Sequence, residues 1–297
     1  MKVRRVKKAV ISAAGLGTHM LPMSKALPKH MLPLVDKPIV QHIVEDLVDA
    51  GITEIIFVTN SLDDSVQRHF TGSVTLEDTL RKRGMISELA EIQKISRLAK
   101  FHFVHQKGGL GNAVPIINSS HLLKDEPFLV VWADDFIRSS TPWIRQLVAA
   151  YDEMGGGNIL SCIRSDEDIP TTKQAFAIGR EVCLGTLLMK DIVDKPAENF
   201  NYEIVNGAIY EPEMIRALTQ AKRRKKSTAD TSELSFVDGV RILLETGARC
   251  YAREIKNGKY YNCGNKLDYL KTVLELAIQH KEYGKELTLF LKTILPS

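Results

Sequence analysis

Apolar positions along this chain recur at two periods, and in the first half the two alternate regularly. Lys8-Ala9-Val10-Ile11 is a short apolar run ending in small residues, Ser12-Ala13-Ala14-Gly15-Leu16-Gly17, which predicts a buried strand feeding a tight glycine loop. Pro22, Pro28, Pro33 and Pro38 oppose a long helix directly after that loop. From Ile39 to Ala50 the residues Ile39, Val40, Ile43, Val44, Leu47 and Val48 recur at helical spacing, and Gly51 stands where a capping glycine belongs. Glu54 to Thr59 follows as a strand. Strand, helix and strand with short links predict a parallel βαβ unit with a right-handed crossover.

The alternation continues through a strand at Phe101–Val104, a helix from Gly111 to Leu123, a strand at Phe128–Trp132 and a helix from Pro142 to Met154. After Gly155-Gly156-Gly157 the texture changes to shorter β-like runs at Ile159–Ile163, Phe176–Ile178, Gly185–Val193 and Ile204–Tyr210. Two amphipathic helices are predicted late, Ser235–Thr246 and Lys266–Tyr283, and residues 222–229 read as a polar basic loop. The expected fold is α/β, a Rossmann-like doubly wound mixed sheet with C-terminal helices.

Composition narrows the class. A chain of 297 residues with 44% hydrophobic and 26% charged residues can bury a full core and is not disordered. Its formal charge of +4 suits small anions and is too low to imply nucleic acid. The basic start, Met1 to Lys8, lacks the long apolar region of a signal peptide, and no apolar stretch is long enough to span a membrane. Cys162, Cys183, Cys250 and Cys263 are scattered without metal-ligand spacing, so reduced thiols and a cytoplasmic location are expected. His42, His69, His102, His105, His121 and His280 form no metal-binding pattern, and Trp132 and Trp143 are read as core.

Two segments carry candidate chemistry. In Ala13-Ala14-Gly15-Leu16-Gly17-Thr18-His19-Met20, glycines let backbone amides converge on phosphate oxygens, although such pairs also occur in ordinary turns. Met20 replaces the third glycine of a dinucleotide fingerprint, which argues against an oxidoreductase. In Pro28-Lys29-His30-Met31-Leu32-Pro33, a lysine on a stiff loop can meet phosphate charge or simply face solvent. Asp134 sits at a strand's C-terminal end, where a carboxylate can hold a cation or cap a loop.

Together these segments resemble a known signature. Ala-Ala-Gly-Leu-Gly-Thr-x-Met-Leu-Pro at 13–22 and the run from Lys25 to Pro38 are similar to the motifs of bacterial UTP–glucose-1-phosphate uridylyltransferases. The similarity resumes at Ala50-Gly51-Ile52-Thr53-Glu54-Ile55, Gly109 to Val114, Val193-Asp194-Lys195-Pro196 and Cys263 to Tyr269, nearly the whole length. The resemblance implies attack of a sugar-1-phosphate oxygen on the α-phosphorus of UTP with loss of pyrophosphate, a reaction that needs positioning, Mg²⁺ and cations rather than a protein nucleophile. It implies a single nucleotidyltransferase domain, with a nucleotide-binding half at 1–155, a sugar-binding half at 156–262 and C-terminal helices at 263–297. It places Ala14, Gly15, Gly17, Thr18, His30 and Asp135 at the nucleotide, Lys29 and His19 on the triphosphate, and Gln106 with Gly111 at the uracil. Asp134 and Asn262 would hold Mg²⁺, and Ala177, Asp194 and Lys195 would meet the sugar phosphate. A homo-oligomer, dimer or tetramer, is also implied.

Four departures from that pattern stand out. His19 stands where the family has an arginine, His30 where it has a glutamate, Asn262 where it has a carboxylate, and Phe176-Ala177 where it has Tyr-Gly. Arginine offers a permanent charge and a forked donor set that histidine lacks. An enzyme with a weaker electrostatic site is expected. The alternatives are a paralogue that binds nucleotide sugar and regulates a true pyrophosphorylase, or a basic nucleic-acid-binding module.

Overall fold

The computed structural model describes residues 3–164, 175–194 and 201–294. Strand β1 (Lys8–Ala13) leads into a loop of single 3₁₀ turns and a two-residue hairpin, β2 (Pro33–Leu34) with β3 (Lys37–Pro38). Helix α1 (Ile39–Asp49) follows, then β4 (Glu54–Thr59), helices α2 (Ser65–Phe70), α3 (Val74–Lys82) and α4 (Ile86–Ser96), and β5 (Lys100–His105). Helix α5 (Val114–Leu123), β6 (Phe128–Trp132), β7 (Asp135–Ser139) and α6 (Trp143–Glu153) complete the first half. The second contains β8 (Asn158–Arg164), β9 (Ala175–Cys183), β10 (Thr186–Asp194), β11 (Tyr202–Tyr210), α7 (Glu213–Ser227), α8 (Phe236–Glu245), β12 (Cys250–Glu254) and β13 (Gly258–Asn262). Helices α9 (Lys266–Ile278) and α10 (Gly284–Ile294) close the described chain.

Among the described residues one nine-stranded sheet carries both halves, in the order β5-β4-β1-β6-β11-β8-β12-β10-β9. Strands β5, β4, β1 and β6 are parallel, and β11 enters antiparallel between β6 and β8. The central strands β1, β4, β6 and β11 are buried on both faces. In β1, Ala9 and Ile11 join a core beneath α1 and α6, while Val10 joins a second core with α5, α7 and α8. This is the doubly wound mixed sheet that the sequence predicts. The chain from β1 moves outward to β4 and β5 and returns through α5 to β6 on the other side of β1, so a topological switch point lies between β1 and β6. Ligands of such sheets bind beyond the strand ends at that point.

Three readings change. Helices α2 to α4 fall in a stretch for which no element was expected, and α3 and α4 each fully bury only one apolar residue, Leu80 and Leu89. The basic run 222–227 is helical rather than a loop: α7 continues to Ser227, and Arg224, Lys225 and Lys226 complement the negative end of its dipole. The last expected helix, Lys266–Tyr283, ends at Ile278, and a further helix, α10, starts at Gly284, where a Cβ would lie 2.2 Å from the Ile278 carbonyl oxygen. No helix among the described residues is long and apolar enough to cross a membrane.

Candidate functional site

The loop leaving β1 turns at Gly17, whose φ of 63° is the left-handed region that glycine adopts without strain. Ser24 Oγ closes it by donating to the Gly17 carbonyl at 2.7 Å. Thr18 and His19 are left exposed on a 3₁₀ turn whose Met20 is buried in the core. Gly15 lies over the end of Lys29, where a Cβ would stand 3.5 Å from Lys29 Cε. Lys29 in turn donates from Nζ to Asp134 Oδ2. Two segments 105 residues apart thus meet at the C-terminal ends of β1 and β6.

Asp134 and Asp135 sit at the join of β6 and β7 in different surroundings. Asp135 is buried and accepts from the Tyr260 hydroxyl at 2.8 Å. Burial, with the Asp134 charge beside it, pushes the Asp135 carboxyl up, and Lys29 opposes this more weakly. Asn262 pairs with Asp135 across β13 and β7, and its Oδ1 accepts from the Gly264 amide at 2.7 Å. A Cβ on Gly264 would lie 3.0 Å from Asn262 Oδ1 and 3.2 Å from Asp134 Oδ2, so both oxygens border one spot. A carboxylate and an amide carbonyl are donors that suit a hard divalent cation, with one negative charge between them. The described residues contain no cluster of three His, Cys, Asp or Glu side chains able to hold a metal alone.

These residues open into a cleft of about 790 Å³ whose walls include Lys29, Trp132, Asp134, Asp135, Asp194 and Arg241. Its volume is in the range of small-ligand and cofactor sites. One rim is Gly111, at φ 121°, where a Cβ would lie 2.2 Å from the Leu234 carbonyl oxygen. The segment 230–236 crosses there. Ala113 donates its amide to Leu234 O at 3.2 Å, and Phe236 donates its own to Asn112 Oδ1 at 2.8 Å.

The nucleotidyl transferase family matches residues 8–278. The chain belongs to that family. A UTP–glucose-1-phosphate uridylyltransferase of Bacillus subtilis is 35% identical over 99% of this chain and 98% of its own. UTP–glucose-1-phosphate uridylyltransferase 2 of Staphylococcus saprophyticus is 33% identical over 98% and 99%. A UDP-glucose pyrophosphorylase from Acinetobacter baumannii superimposes with a TM-score of 0.86 at 25% identity, covering 98% of this chain and 100% of its own. A UDP-glucose pyrophosphorylase complexed with UDP-glucose does so with a TM-score of 0.78 at 28% identity, covering 93% and 100%.

In this nucleotidyl transferase the residues singled out from sequence fall into three groups. Lys29, Asp134, Asp135, Gly111 and Asp194 line the cleft, with Asn262 beside Asp134, and Ala14, Gly15, Gly17, Thr18 and His19 belong to the loop over Lys29. Gln106 stands at the glycine loop before α5, donating from Nε2 to Gly109 O at 3.0 Å. His30 and Ala177 are buried instead. His30 faces Asp63, and Ala177 pairs with Ile192 in the sheet, one step below Ala175, which reaches the cleft. Lys195 lies outside the described residues. Trp132, read as core, lines the cleft and packs on Phe236 with centroids 5.5 Å apart, whereas Trp143 is fully core.

Two supporting groups escaped the sequence reading. Asn206, 1% exposed, accepts from Trp132 N at 2.7 Å and donates to Trp132 O and Asp135 O, which fixes the strand end that carries Asp134. A polar residue inside the apolar run Ile204–Tyr210 was its available signal. Lys225 braces the crossing segment through Asp230 at 3.0 Å, Asp238 at 3.5 Å and Ser232 at 2.6 Å. Masked by the neighbouring basic residues, it carried no signal of its own.

Proposed function

We propose that this nucleotidyl transferase moves the uridylyl group of UTP to glucose 1-phosphate, giving UDP-glucose and pyrophosphate. The meeting of Lys29 and Asp134 at the switch point of the sheet carries the reading, because it puts a cation and a cation-binding oxygen where a triphosphate would lie. The sugar-phosphate oxygen forms its bond to the α-phosphorus while the bond to the leaving pyrophosphate breaks, so the protein need only align and neutralise. Lys29 and His19 take up charge on the triphosphate. The backbone of Ala14 to Thr18 packs against the nucleotide, and Gln106 with Gly111 meets the uracil. Asp194 accepts from sugar hydroxyls, and Lys195 pairs with the sugar phosphate. Asp134 and Asn262 hold Mg²⁺. A bound magnesium ion would supply charge neutralisation on the phosphate oxygens. The sugar-binding residues lie in the half at 156–262, within one domain formed by all 297 residues. The relatives are named as enzymes, which does not favour the regulatory alternative.

The test is pyrophosphate release with UTP, glucose 1-phosphate and Mg²⁺, run beside dTTP, ATP and GTP. UTP should outperform the purine nucleotides at least ~10-fold, about 1.4 kcal/mol of discrimination. Equal use of ATP or GTP would overturn the assignment. We also assign a cytoplasmic location and a homo-oligomer, dimer or tetramer. Exposed Leu267, Leu270, Leu274 and Ile278 on α9, with Leu289, Phe290 and Ile294 on α10, support the second assignment.

A further inference from the structure

The residue next to the lysine does something other than read the base. Lys29, His30 and Met31 form one 3₁₀ turn, held internally by Met31 N to Pro28 O at 2.8 Å and Leu32 N to Lys29 O at 3.2 Å, with no side-chain cap. So short a turn has little stability of its own and takes its orientation from what its side chains are packed against. His30 is 1% exposed, and its Nε2 faces Asp63 Oδ2 at 3.1 Å, off the ideal hydrogen-bond angle. Neither atom, nor His30 Nδ1, has a well-aligned hydrogen-bonding partner among the described residues, so the contact between His30 and Asp63 is an ion-pair approach.

Asp63 is itself fixed before it meets His30. Its Oδ1 accepts from both the amide and the hydroxyl of Ser65 at the start of α2, and its amide donates to Asn60 O at 3.0 Å. Oδ2 is thereby left aimed at the histidine. Burial alone would raise the Asp63 carboxyl, but the donors of His30 and Ser65 outweigh it and hold it at about 2. Asp63 therefore stays an anion, and whatever stands at position 30 must answer it with a donor. A glutamate there would set two carboxylates face to face in a buried site.

We propose that His30 and Asp63 are a positioning pair: the buried imidazole ties the turn that carries Lys29 to the loop after β4, and so sets the reach of Lys29 toward Asp134 and the triphosphate. The proposal deepens the uridylyltransferase reading and rests on it. His30 is buried and does not line the cleft. It acts through its neighbour.

The test is a charge-reversal cycle with wild type, His30→Glu, Asp63→Lys and the double variant, measured for kcat, for KM of UTP and for thermal midpoint. Each single variant should lower kcat about 10²-fold, the scale of a misplaced catalytic group. The double variant should return to within about 10-fold of wild type, with KM for UTP and the preference for uracil nearly unmoved throughout. His30→Leu is then made in wild type and in a Lys29→Ala background. It should cost about 10²-fold in the first and less than about 3-fold in the second, because a group acting through Lys29 has nothing left to act on. His30→Gln, which keeps a donor, should retain most of the activity where His30→Leu does not. A double variant no better than the worse single overturns the pairing. A His30→Leu loss undiminished without Lys29, or a change in base preference, overturns the positioning role. Should the wild type release no pyrophosphate from UTP, the functional reading fails separately. The same proteins are then compared for thermal midpoint, where failure of the double variant to exceed both singles still overturns the pair.

Discussion

His19 stands exposed on the turn beyond the Gly15–Gly17 loop, where the resemblance places an arginine. Only the protonated imidazole supplies charge, whereas guanidinium supplies it at every working pH. His19→Arg should therefore raise kcat, by up to about 10²-fold if the cation acts on the transition state. Steady-state kcat of the two proteins decides this, and equal values would remove His19 from the charge balance. Asn262 poses the matching question for the metal. Its Oδ1 borders the same spot as Asp134 Oδ2 yet also accepts from Gly264. Asn262→Asp should lower the Mg²⁺ concentration for half-maximal rate, since a second carboxylate strengthens a hard-cation site. Superimposable magnesium titrations would leave Asn262 a turn residue.

At the scale of elements the glycine rim of the cleft is the sensitive part. Gly111 combines φ 121° with direct backbone contact from Leu234, so any side chain there must push the crossing segment away. Gly111→Ala should raise KM for UTP by about 10-fold or more and lower the thermal midpoint by a few degrees, read by steady-state kinetics and a melting curve. An unchanged KM would free the rim from nucleotide binding. The same elements show what was legible beforehand. Strands β1, β4 and β6 and helices α1, α6 and α8 could be read because burial imposed their periods. Lys29 and Asp134 could be read from motif context, although their contact is tertiary. The fate of His30 was hidden, because it depends on Asp63, a loop residue that no local pattern singles out. Lys225 was hidden for the opposite reason, within a charge run that reads as solvated surface.

For the whole molecule, the apolar stripes of α9 and α10 should draw copies together. Light scattering should give a mass above that of one chain, and Leu270→Glu with Phe290→Glu should bring it down to one. A wild-type monomer would leave those stripes without a role. The position of β11 has a consequence of another kind. This strand lies beside β6 yet is encoded beyond β8, β9 and β10. During translation the Gly15–Gly17 loop, the lysine turn and Asp134 all leave the ribosome while the flank of β6 still lacks its neighbour. Until β11 inserts, that open flank can pair with another nascent copy. Asn206, carried on β11, also arrives then to grip Trp132 and Asp135. The order of synthesis therefore delays assembly of the strand end that carries Asp134 and Asp135 until β8, β9 and β10 have been made.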